Sequence, residues 1–233
     1  MDRITRKSLK DDRFAAEVTH SVEYIAGHRR QALLYGGVAV AVLAVAGGVY
    51  FYRQNRQTGA HDALSRALET HRGVVAEEDR PGRVTFRTAA EKNNRAIELF
   101  NAVSRKYSGA QESKIARYYT GLVLQEMGKP AEAQKVFEQL AGEGNDQVGS
   151  LARLGLGAVL AAQGKDQEAR KAYEYLIQNP TDTVSDAQAR LALARLVKNH
   201  KPEEARQLLE ELRKRPGSAA AAAAGVLGEI GAK

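Results

Sequence analysis

The chain has 233 residues, a formal net charge of +7, no cysteine and no tryptophan. The missing cysteines exclude a disulfide framework, a thiolate zinc site and a cysteine nucleophile. The basic surplus is spread thinly, with seven basic and five acidic residues before Gln31 and 28 against 23 after Tyr52, whereas nucleic-acid readers gather lysine and arginine on one face with aromatics between them.

Residues 1–30 form a charged tail of both signs in which Phe14, Val18, Val22 and Ile25 recur at helical spacing. They predict an amphipathic helix from about Leu9 to His28, lying on a membrane, docked on a partner or simply solvated. From Gln31 to Tyr52 the chain carries no charge. As a helix rising about 1.5 Å per residue, this stretch is long enough to cross a hydrocarbon core of about 30 Å. It is apolar or small on every side, so it lacks the polar stripe of a soluble core helix, and Tyr35 at one end with Tyr50, Phe51 and Tyr52 at the other read as interfacial anchors. Ala44-Val45-Ala46 has the form that signal peptidases accept, yet a long mixed-charge tail precedes it and the apolar run continues past it. A retained transmembrane helix is the reading taken.

Arg29 and Arg30 before the span face Arg53, Arg56 and Arg66 after it, so local charge does not decide orientation. Translocating a tail with seven basic residues is costly, which favours the N-terminus inside and the larger C-terminal part outside the cytoplasmic membrane. Within the span Gly37, Ala41, Ala44 and Gly48 fall on one face, where a second helix could approach closely. A homo-oligomer built on that face and a chance run of small residues both fit the spacing.

After the span, 53–72 read as a continuing or second helix with Leu64, Ala67 and Leu68 on one side. Residues 73–87 contain Gly73, Pro81 and Gly82 and no period, and read as a loop. From Ala89 the pattern is helical throughout. Three fragments then align without gaps at intervals of 36: GKPAEAQKVF from Gly128, GKDQEARKAY from Gly164 and HKPEEARQLL from His200. The same interval relates Gly121 to Gly157, Ala133 to Ala169 and Ala205, Phe137 to Tyr173 and Leu209, and Pro180 to Pro216. Gly128 and Gly164 suit a left-handed helix end, while Pro130 and Pro202 suit a first helical turn. Small residues at 121, 133, 157 and 169 let antiparallel helices cross closely, and the aromatic or leucine that follows plugs the space between hairpins. The third copy departs, with Leu193 in the glycine position and His200 at the turn.

This pattern resembles the tetratricopeptide repeat, a helix hairpin of about 34 residues. With the span already read, the resemblance gives an all-α fold: one N-terminal transmembrane helix (31–52), then an α-solenoid of TPR-like hairpins over 53–217. Its repeats are 114–149 and 150–185, a degenerate one at 186–217 and an interrupted one at 58–107, and 218–233 form a capping helix and tail. The resemblance further implies a concave groove lined by the first helix of each hairpin: Ile115, Tyr118, Leu122 and Gln125; then Leu151, Leu154 and Ala158; then Arg190. Several of these read equally well as core. A single span followed by a small repeat domain is also similar in architecture to the YfgM-type ancillary subunit of the SecYEG translocon and the CpoB-type division coordinators. That similarity implies an inner-membrane protein whose periplasmic repeats bind translocon subunits, client chains or chaperones, the other reading being a scaffold for division or envelope assembly.

No catalytic constellation stands beside the repeats. The five histidines form no ligand spacing, so no metal or other cofactor is expected. The run from Gly157 to Lys165 lacks the spacing and the Ser or Thr of a phosphate loop. The expected role is binding by protein or peptide contact, not catalysis.

Overall fold

A computed structural model of the chain describes residues 29–231; the helix expected over Leu9 to His28 lies outside them. The elements in order are α1 (Arg29–His71), β1 (Val74–Val75), β2 (Thr85–Phe86), α2 (Ala89–Lys106), α3 (Gln111–Glu126) and α4 (Pro130–Gly142). There follow α5 (Gln147–Ala162), α6 (Asp166–Gln178), α7 (Asp186–Val197), α8 (Pro202–Arg213) and α9 (Ser218–Gly231). The chain divides into two units, Met1–Arg56 and Gln57–Lys233.

In the first unit the described residues are all helical. From Leu33 the helix is long and apolar enough to cross a membrane, and its apolar window has no buried part. Leu33, Tyr35, Leu43 and Phe51 are each about seven-tenths exposed. Such surface in water forgoes about 25 cal/mol for every Å² that an apolar surrounding would cover. A helix also satisfies its own backbone, which a lipid surrounding demands.

In the second unit, each helix from α2 on packs against the next in sequence. Ala60, Leu64 and Ala67 of α1 share a core with Phe100 of α2 and Val123 of α3. There the Phe100 and Tyr119 rings stack at 5.5 Å, and the His71 ring stands edge-on to both. A second core joins α3, α4 and α5 around Phe137 and Leu140. A third runs from Leu160 and Tyr173 through Leu193 and Leu209 to Val226, so α9 closes the stack by burying Ala223 and Val226. The architecture is an all-α solenoid of hairpins, as the repeat spacing predicts.

One segment differs from expectation. Residues 73–87 carry a two-residue parallel ladder, Val74 opposite Thr85 and Val75 opposite Phe86, extended by the Val74 N–H donating to the Val84 carbonyl at 2.9 Å. Phe86 folds over Gly73, where a Cβ would come within 2.7 Å of its ring. Two residues are too few to show the alternation that marks a strand in sequence.

The turns explain the spacing. At Gly128, φ is +70°; its N–H donates to the Gln125 carbonyl at 3.0 Å and the Lys129 N–H to the Leu124 carbonyl at 2.9 Å. This pair of bonds closes a helix whose next residue is left-handed. Gly164 repeats it, with φ +73° and the matching bonds to Ala161 and Leu160. At the third turn His200 replaces the glycine, and the Lys201 N–H returns to the Val197 carbonyl at 2.7 Å instead.

Candidate functional site

The first helices of successive hairpins, α3, α5 and α7, lie along one side of the stack, and what separates them depends on one repeat position. Between α3 and α5, Phe137 is fully buried. A Cβ at Gly121 would stand 2.5 Å from its ring, and one at Gly155 would stand 3.1 Å from it. The ring therefore rests on bare backbone on both sides and fills the middle of the space, leaving an opening of about 460 Å³ at the N-terminal ends of the two helices, by Lys114 and Asp146. Thirty-six residues on, Tyr173 takes the place of Phe137 and lies over Gly157, but Leu191 takes the place of Gly155. The gap between α5 and α7 stays open as a groove of about 540 Å³.

Leu154, Ala158 and Ala161 of α5 line one wall, and Leu191, Ala192 and Leu196 of α7 line the other. Tyr173 lies at its base, while Gln188 and Arg195 are exposed on the α7 side. Burial pushes the Tyr173 hydroxyl up to about 12, so it is a neutral phenol at any physiological pH.

Both walls are fixed at their N-termini. Asp146 caps α5, accepting from the Gly149 N–H at 2.8 Å and from Lys114 Nζ at 2.6 Å. The Lys114 bond first, and that backbone bond second, hold its carboxyl below the usual range. On α7, Ser185 and Gln188 form a reciprocal capping box: the Gln188 N–H donates to Ser185 Oγ at 3.3 Å and the Ser185 N–H to Gln188 Oε1 at 2.8 Å.

Of the groove residues read from the repeat, Leu154 and Ala158 meet in this opening. Ile115, Tyr118 and Leu122 are half-buried against the Phe137 core, with the Tyr118 ring 5.8 Å from that of Phe137. Gln125 is half-buried near the end of α3. Leu151 packs on the small core of Leu176, Val184 and Ala189. Arg190 is not a free handle: it pairs with Asp186 at 3.4 Å and with Glu211 of α8 at 2.8 Å.

Counting inward positions missed Gln188, Leu191, Ala192 and Arg195, which follow the spacing i, i+3, i+4, i+7 of one helix face. That face looks back toward α5 across the groove, whereas Arg190, the α7 residue read from the repeat, turns to Glu211 of α8. The signal that could have found it is the replacement of Gly155 by Leu191.

On α1, Ala41 and Ala44 are exposed and a Cβ at Gly37 or Gly48 would meet nothing within 4 Å. Among the described residues, no three His, Asp or Glu side chains are grouped to hold a metal ion. No curated protein and no solved structure matches the chain. Residues 120–183, from the end of α3 through α6, match a tetratricopeptide repeat family model, so the chain contains repeats of that kind; the match takes in the α5 wall of the groove and ends before α7.

Proposed function

We propose that this is a membrane-anchored protein-interaction module whose repeats hold a partner polypeptide in the groove between α5 and α7. The observation that carries it is that opening: an apolar cleft between the first helices of two hairpins, in a repeat architecture that serves mainly as a binding scaffold. The mechanism is binding alone. The span confines the module to a surface and raises the local concentration of partners that share it, while the cleft supplies apolar contact.

The finer reading places the repeats in the periplasm, assisting translocon subunits, clients or chaperones. It is supported by the tail-span-repeat order and by the cost of moving seven basic residues across the membrane. Site-specific photo-crosslinking in intact cells tests it, with the probe at Ala158 in the groove and a control probe at Lys171, exposed on α6. Adducts with translocon subunits at Ala158 and none at Lys171 are the expected result. Adducts with division or cell-wall proteins would favour the scaffold, and equal labelling at both positions would remove the groove as the partner site.

A further inference from the structure

The cleft has a charge as well as a shape. The first helices α3, α5 and α7 carry five basic residues, and four are engaged within the molecule. Lys114 pairs with Asp146 and Arg117 with Glu143, both at 2.6 Å. Arg153 donates to the Ala141 carbonyl at 2.6 Å and lies 3.8 Å over the Tyr175 ring. Arg190 is held by Asp186 and Glu211.

Arg195 differs. It is exposed, it lines the groove, and among the described residues no carboxylate, carbonyl or ring is bonded to it. Its field reaches Glu229, but that carboxylate is already taken by Lys198 at 2.5 Å. The remaining groove residues are apolar or neutral, so Arg195 is the only charge in the lining.

We propose that the groove selects partner segments in which apolar side chains stand beside an aspartate or glutamate, the apolar groups filling the cleft and the acid meeting Arg195. This rests on the binding role above and adds the partner's chemistry. A basic partner would bring like charge to Arg195 with no acid in the lining to offset it, and a wholly apolar one would leave the guanidinium facing it unmatched. An arginine fork suits a carboxylate, which it can hold by two parallel hydrogen bonds.

The test uses the full chain in detergent micelles, a displayed library of random peptides, and two variants. Ala158→Arg fills the groove from an exposed position, and Arg195→Glu reverses its charge; the melting curve of each is taken beside that of wild type to check that the fold is kept. Wild type is expected to enrich peptides combining apolar residues with an acid, and Ala158→Arg to lose them. Arg195→Glu is expected to weaken them about fivefold to tenfold, the sum of one exposed ion pair lost and one repulsion gained, and to enrich peptides with lysine or arginine instead. Peptides lost with Ala158→Arg but without acid preference, or indifferent to Arg195→Glu, overturn this inference and leave the binding role standing. Peptides indifferent to Ala158→Arg, or no enrichment at all, overturn both.

Discussion

Phe137 shows how much of this stack rests on single side chains. Its ring is wholly buried against the bare backbone of Gly121 and Gly155, so Phe137→Ala leaves a cavity that neither helix can close, and a loss of about 3–5 kcal/mol is expected in urea melts. At Gly157 two effects oppose: alanine favours helix by up to about 1 kcal/mol, but its Cβ would overlap the rigid Tyr173 ring. Overpacking of about 1–3 kcal/mol wins, so Gly157→Ala is expected to destabilise, and Tyr173→Leu in the same chain to recover part of the loss. Charge acts at this scale too. Arg170 grips Glu204 by two bonds of 2.5 and 2.9 Å, and that grip holds the Glu204 carboxyl below its ordinary 4.5. A depressed carboxyl stabilises the fold above its unfolded value and ceases to as pH falls through the folded one. The contribution of this pair to stability is therefore expected to be level above about pH 5 and to decline below 4.5, with Arg170→Met showing a shallower decline than wild type in melts taken across that range.

Between residues and molecule stand the caps and turns, and these were the most readable part of the chain. Gly128 and Gly164 announced their positive φ because a left-handed helix end narrows the choice of residue, and Pro130 and Pro202 stand in the first helical turn as their missing N–H requires. The Ser185 capping box was open to reading as well, since Ser followed three places on by Gln is its signature. Ser185→Ala is expected to cost about 1 kcal/mol, with faster amide hydrogen exchange confined to the first turn of α7. What the sequence hid were features made by two distant segments at once. The ladder between Val74 and Phe86 is too short to alternate. Arg190 found its partner Glu211 on α8, a pairing that no spacing within α7 encodes. The groove was half legible: Leu154 and Ala158 followed from the repeat, but its far wall depended on Leu191 standing where the preceding repeat has glycine.

For the whole molecule, membrane placement is the first matter to measure. Protease added to intact spheroplasts is expected to digest the repeats and leave a protected fragment retaining residues 1–52; protection of the repeats until lysis would put them in the cytoplasm and remove the translocon reading. Truncation after Pro216 removes α9 and uncovers the core formed by Leu209 and Leu212, so the shortened chain is expected to melt earlier and to self-associate in sedimentation. The same neighbour-by-neighbour packing has a consequence for how the protein is made. Every core joins helices that are close in sequence, and salt bridges such as Arg170 to Glu204 join residues one repeat apart. A hairpin thus has its preceding partner in place when it emerges from a ribosome or a pore, and none must wait for the far end of the chain. The order of synthesis is also an order of assembly, and α9 can cover Leu209 and Leu212 only once the hairpins before it have been built.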